Sequence, residues 1–296
     1  MKIFLGAIIT VFVILFVINI ADLNRYVVRR VAIYDSKIKK KMKICFLSDL
    51  HNCAVTDKFY QDMEEYAPDI ILVGGDIITA QKGKNEKYAY SFMKRISDIA
   101  PVYFAFGNHE YRTRIYPETY PGMYDEFMVK VKEYGINVLS DDSAFFKENN
   151  IRVTGVEIDR HFYKKFKKQK MDDGYIETLT GPFDTDCYNI LLAHNPDYFD
   201  SYIKSNPDLV LSGHLHGGLI RLPFLNGVAH PGVRFFPKYS GGAYNEKGRF
   251  IHYADSYVSS NVDTIRLIVS CGIGFHTIPL RLFDPGELIF VTIDSK

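Results

Sequence analysis

Tryptophan is absent from this 296-residue chain, and neither cysteine nor net charge is plentiful. The four cysteines, Cys45, Cys53, Cys187 and Cys271, lie far apart with no Cys-x-x-Cys pair. That spacing argues against a disulfide framework and against a thiolate zinc site. With 36 Lys+Arg against 35 Asp+Glu, the formal net charge is only +1. There is no basic surplus for coating a polyanion, and no nucleic-acid partner is expected. Apolar residues at 47% and charged residues at 24% exclude disordered and collagen-like chains.

The even balance hides an asymmetry. Residues 22–43 carry eight basic and two acidic side chains, whereas residues 44–296 carry 27 basic and 33 acidic ones. Ahead of this basic collar, Ile3 to Ala21 is a run of nineteen uncharged residues. As a helix it would span roughly 28 Å, close to the hydrocarbon thickness of a bilayer. A cleavable signal peptide is the competing reading, but its apolar core is usually about 7–15 residues and ends in a small-x-small site. Asn19-Ile20-Ala21 makes a poor site of that kind. The expected organisation is therefore a single-pass membrane anchor over 1–21, a basic juxtamembrane linker over 22–42, and one domain over 43–296. The basic flank favours a cytoplasmic body, while a lone Lys2 also begins exported anchors, so both orientations stay open.

Within the body, apolar runs alternate with amphipathic stretches. Strands are expected at 43–47, 69–75, 102–106 and 136–139, with helices near 57–67, 86–99 and 122–134. Such alternation implies crossover units and a largely parallel sheet. From about 143 the texture changes to strands and turns, with strands expected at 151–156, 189–193, 209–211, 219–222, 265–269 and 288–293. Two sheets sharing one core follow, with helices outside. The Gly-, Pro- and aromatic-rich stretch 225–250 reads as a long loop.

Open α/β sheets put their chemistry just past the C-terminal ends of their strands. This chain places ligand types there repeatedly: Asp49 and His51 after the first strand, Asp76 after the second, Asn108 and His109 after the third. His194 follows Ile190-Leu191-Leu192-Ala193, and His214 and His216 lie in Leu211-Ser212-Gly213-His214-Leu215-His216-Gly217-Gly218. Singly, each has a plain structural explanation, such as a cap, a turn or a core imidazole. Five independent turns choosing carboxylate, imidazole and carboxamide together point to divalent Mn, Fe or Zn instead.

The order and spacing resemble the calcineurin-like metallophosphoesterases. The resemblance rests on Asp-x-His at 49–51, Gly-Asp at 75–76, Gly-Asn-His-Glu at 107–110, His194 and Gly-His-x-His at 213–216. Ala193-His194-Asn195-Pro196-Asp197, the 211–218 block and Gly272-Ile273-Gly274…Pro279-Leu280-Arg281 look like its membrane-associated bacterial branch. Leu215 stands where that branch often has Thr, and Asp284-Pro285-Gly286-Glu287 replaces its terminal PPE.

The resemblance implies a four-layer α/β/β/α sandwich of two mixed sheets and a pair of divalent metal ions. Asp49, His51, Asp76 and His216 would hold one ion. Asp76, Asn108, His194 and His214 would hold the other, with Asp76 bridging. His109 would be a catalytic non-ligand, acting as general acid or charge-stabilising donor, and Glu110 either orients it or caps the next helix. Two cations would neutralise a phosphoester's charge and arm a bridging hydroxide. The expected activity is metal-dependent hydrolysis of a phosphodiester or pyrophosphate bond, with lipid-linked substrates among the candidates. A phosphomonoesterase or phosphoprotein phosphatase is the enzymatic rival, and a silent binding module a third reading.

Other features bear on substrate. His161 to Lys170 holds five lysines and three aromatics, with Phe162 and Phe166 spaced for one helical face. It reads either as a basic membrane-facing surface or as a solvated loop with its aromatics on the core. Arg221, Arg234 and Arg281 are candidates for phosphate contact. His230, His252 and His276 read as loop or core histidines.

Overall fold

Alternation within single strands sets the layers. In Met42–Leu47, Ile44 and Phe46 point into one apolar core while Cys45 and Leu47 point into another. In Tyr188–Ala193, Ile190 and Leu192 join that first core and Leu191 and Ala193 join a third. A strand buried on both faces needs cover on both faces, and the shared core is the seam between two sheets.

The computed structural model describes residues 2–83, 85–222, 226–231, 233–251, 256–258, 264–275 and 278–296. His252 and His276 lie outside the described residues. The first sheet has the order Ser256–Val258, Tyr26–Tyr34, Gly286–Asp294, Met42–Leu47, Ile70–Val73, Val102–Phe104 and Asn137–Val138. The second runs Phe250–Ile251, Gly242–Tyr244, Leu267–Val269, Leu209–Ser212, Tyr188–Ala193, Ile151–Val156 and Asp142–Phe146. Both are mixed, and both keep a parallel centre. The sandwich is four-layered, α/β/β/α.

Three helices cover the first sheet. Lys87–Ile99 buries Ala89, Phe92, Met93 and Ile96, one face of a 3.6-residue period. Asp57–Tyr66 buries Phe59, Tyr60 and Met63 and stops where Ala67 turns left-handed. Met123–Glu133 adds Phe127 and Val131. On the far side, Tyr175–Thr180 and Phe199–Tyr202 pack Ile176, Phe199 and Tyr202 against the second sheet.

Four expectations are corrected. The segment 22–42 is not a linker: Tyr26–Tyr34 is a nine-residue strand, paired in parallel along its whole length with Gly286–Asp294. Its charges find partners in the fold, Arg29 on Glu287 and Arg30 over the Phe290 ring. The stretch 225–250 is not one loop, since Gly242–Tyr244 and Phe250–Ile251 belong to the second sheet and two short hairpins precede them. Arg221–Leu222 is a hairpin strand outside both main sheets. Phe162 and Phe166 share no helical face, because a single 3₁₀ turn, Arg160–Tyr163, carries Phe162 inward while Phe166 is left exposed with φ 67°.

Candidate metal centre

The loops after the parallel strands of both sheets meet at one point, and backbone contacts stitch them together. The His214 N–H donates to both Asp49 oxygens, 3.0 and 3.1 Å away. Gly213 makes that approach possible, because a Cβ there would fall 1.9 Å from Ser48 Oγ and 2.1 Å from Asp49 Oδ2. Gly107 does the same for Asp76, where a Cβ would lie 2.2 Å from Oδ1. Asp49, His51, Asp76, His214 and His216 all have φ between 47° and 71°. Left-handed backbone is uncommon outside glycine, and its concentration on these five residues marks a place where strain is held for function.

The side chains form compact groups. Asp49, His51 and His216 offer ligand atoms within 4.8 Å of one another, and so do Asp76, His194 and His214. A third group, His51, Asp76 and His109, joins the first two. The Nε2 atoms of His51 and His216 face each other at 3.0 Å with their rings stacked. Asp49 Oδ1 lies 3.4 Å from His216 Nε2 and 3.8 Å from His51 Nε2. Asn108 opens the helix Asn108–Ile115, and its Oδ1 is buried with no hydrogen-bond partner among the described residues. An amide oxygen left so, and imidazole nitrogens turned on one another, fit a site built to hold divalent cations.

Hydrogen bonding separates two kinds of histidine here. His194 Nδ1 donates to the Gly74 carbonyl at 2.6 Å, which turns Nε2 toward Asp76 Oδ2, 3.0 Å away. A backbone carbonyl that takes the other ring N–H orients a metal-binding imidazole in this way. His109 is the reverse: its Nδ1 accepts from the Ala80 N–H at 2.8 Å, so Nε2 carries the proton. His194 thus turns Nε2 toward the Asp76 carboxylate, and His109 carries its proton on Nε2.

Charge follows the same plan. Burial pushes the Asp49 carboxyl up to about 6 despite the nearby His194. Burial also opposes ionising Asp76, but the imidazoles of His194, His109 and His51 outweigh it and hold the carboxyl well below its usual range. For His194, burial opposes the proton, yet Asp76 and Asp49 lift the ring to about 10. A divalent cation bound between His194 and Asp76 would compete with a proton for the same ring nitrogen.

The comparisons agree with this chemistry. A family model described as calcineurin-like phosphoesterase matches residues 42–218. The chain belongs to the calcineurin-like phosphoesterases. It is 26% identical over 284 residues to an uncharacterized metallophosphoesterase of Helicobacter pylori strain J99, covering 93% of this chain and 65% of that protein. This chain thus spans about two thirds of that relative. The phosphodiesterase YaeI of Escherichia coli is 26% identical over 62% of this chain and 63% of its own length. The UDP-2,3-diacylglucosamine pyrophosphatase LpxG of Chlamydia muridarum is 25% identical over 70% of this chain and 77% of its own.

In this phosphoesterase Glu110 does more than cap a helix. Fully buried, it accepts from the Gly107 N–H at 2.9 Å and from those of Asp76, Ile77 and Ile78 at 2.8–3.1 Å. One carboxylate thereby holds both the Asp76 turn and the start of the His109 helix. Three of its four backbone partners lie over thirty residues upstream, and no sequence pattern reveals them. Glu110→Gln sets an NH₂ against those donors, at a cost of about 1–3 kcal/mol for the opposed bond. The expected outcome is a lower urea midpoint and metal affinity weakened by about 10–100-fold. An unchanged midpoint and affinity would show that the four contacts carry no such burden.

Tyr163 was not singled out from sequence. Its ring stands 5.2 Å from His214 and 6.4 Å from His194, and burial raises its phenol well above the usual range. The three arginines are engaged elsewhere. Arg281 is buried, donating to the carbonyls of Cys271, Gly272, Gly274 and Asp284, so it clamps a loop and makes no phosphate contact. Arg221 donates to Cys271 Sγ and Asn226 Oδ1, and Arg234 pairs with Asp197. Of the remaining histidines, His230 lies in the short strand Ala229–His230.

Proposed function

We propose that this chain is a membrane-anchored dimetal phosphohydrolase that cleaves a phosphodiester or pyrophosphate bond. Asp49, His51, Asp76 and His216 hold one cation, Asp76, Asn108, His194 and His214 hold the other, and His109 is the catalytic donor. The observation that carries the reading is the opposite hydrogen bonding of His194 and His109: one imidazole presents a ligand nitrogen and its neighbour presents a proton. Bound divalent ions supply charge neutralisation and a water acidified toward neutrality.

The chain's own residues do the rest. Ala80 N–H fixes the neutral His109 ring so that Nε2–H is aimed, and that N–H donates a hydrogen bond to the leaving oxygen as charge develops on it, the oxygen taking its proton from water once the P–O bond has broken. Asp76 stays ionised and accepts from the His109 N–H at 2.8 Å, tying donor and ligand into one rigid unit. The names of YaeI and LpxG support diester and pyrophosphate bonds, the latter on a diacylated nucleotide sugar. The anchor is supported by the helix Phe4–Leu23, twenty residues with none of its most apolar stretch buried against the body.

The test uses full chain purified in detergent without chelators and loaded with Mn²⁺. Bis(4-nitrophenyl) phosphate is hydrolysed faster than 4-nitrophenyl phosphate, and Mn²⁺ raises the thermal midpoint. No turnover of either ester with Mn²⁺, Fe²⁺ or Zn²⁺ would overturn the reading.

A further inference from the structure

The end of the apolar helix is mortised into the body beside the site. Asn19 Nδ2 donates to the Pro279 carbonyl at 3.2 Å, and Asn19 Oδ1 accepts from the Arg281 N–H at 2.8 Å. Asp22, itself buried, accepts from the Asp284 N–H at 3.1 Å. Strand register puts this junction at the site end of the first sheet. Tyr26 pairs with Gly286, whose strand runs antiparallel to the one that delivers Asp49. The helix therefore leaves the body from the same end on which the metal ligands converge.

From that junction a ribbon of main-chain hydrogen bonds runs along the rim. Leu282 N–H donates to Leu219 and Arg221 N–H to Leu282; Val228 N–H donates to Ile220 and Phe236 N–H to Val228. The ribbon begins three residues after His216. It bears an uncommon set of exposed apolar side chains: Ile278, Phe283, Leu222, Val233, Phe235 and Phe236, with Phe235 73% exposed. Val233, Phe235 and Phe236 stand on one short hairpin segment, and Val233, Phe236 and Phe283 are held out on left-handed backbone. The exposed lysines 164–168 adjoin it through Asp197, which Arg234 pairs and to whose carbonyl Lys168 donates.

We propose that this ribbon is a membrane-docking face, seated in the phospholipid bilayer that the N-terminal helix enters, so that the metal centre opens onto the headgroup layer. The inference rests on reading that helix as a membrane anchor. Continuity selects the occupant, since the apolar rim starts at the residues that grip the helix. Apolar side chains flanked by exposed lysines are the composition that enters an anionic interface. On this geometry the substrate class is an amphiphile whose phosphate lies at headgroup depth, and it is presented to the site without leaving the membrane.

The lack of native tryptophan gives a clean test. Full-length chain carrying Phe235→Trp or Phe283→Trp is reconstituted into phosphatidylethanolamine–phosphatidylglycerol vesicles with acyl-brominated lipid. Phe145→Trp, on an edge strand near the opposite end of the second sheet, is the control. The expected result is blue-shifted emission at 235 and 283 that falls as brominated lipid increases, with position 145 unaffected. Vesicle-bound protein in which 235 and 283 behave like 145 would overturn the proposal, and so would failure of the chain to float with vesicles. Turnover of the soluble aryl diester in detergent is measured alongside. Loss of quenching with intact turnover removes only the docking face, and quenching without turnover removes only the catalytic reading.

Discussion

Asp76→Asn lowers turnover of an aryl phosphodiester in Mn²⁺ by at least about a thousandfold, roughly 4 kcal/mol of barrier. It also lowers the metal bound per chain, measured by elemental analysis. The folded state survives for a specific reason. Asn keeps an oxygen to accept from the His109 N–H, and its NH₂ faces His194 Nε2, where the acid now has a partner at 3.0 Å. A buried charge is replaced by a neutral pair of the same shape, so in metal-free protein the urea midpoint holds or rises. Activity and stability thus move in different directions, which a merely structural role would not produce. Parental turnover by this variant would refute the ligand assignment.

His109→Ala has the second-largest expected effect and a different signature. Metal content is retained, because the ring's Nδ1 is bound to the Ala80 N–H and Nε2 carries a proton. The rate falls by about 10²–10³-fold, the range for removing one positioned donor from a developing oxyanion. The loss depends on the leaving group: it is smallest for 4-nitrophenolate, which departs without a proton, and grows for phenyl and alkyl esters. A uniform loss across leaving groups, or a loss of metal, would return His109 to the ligands. The T-shaped contact between the His51 and His109 rings, 4.9 Å between centroids, makes a small metal-affinity change the expected side effect.

The parallel strands were legible because each is a short apolar run ending in a polar residue, a pattern that depends only on neighbours in sequence. Ile151–Val156 was read to the residue for this reason. Tyr26–Tyr34 was not, because Arg29 and Arg30 look like a solvated collar until Glu287 and Phe290 arrive from more than 250 residues away. Phe162 and Phe166 misled in the opposite sense. Their helical spacing is real, but Asp159 caps a single tight turn that ends at Tyr163. At the site, residue types were readable whereas their tuning was not. The carbonyl of Gly74, the N–H of Ala80 and the four donors on Glu110 are backbone groups, and sequence does not announce which side chain they meet.

The stitching of Gly213 onto Asp49, and of His194 onto Gly74, makes the centre a joint product of two halves of the chain. On the proposed assignment residues 49–108 supply one set of ligand atoms and residues 194–216 the other, so each proposed cation pocket draws on both halves. On that assignment, tight capture of a divalent ion during refolding is expected only after the two sheets have mated. The appearance of bound ion then serves as a clock for the last assembly step, lagging behind the gain of strand and helix signals by the time the halves take to find each other.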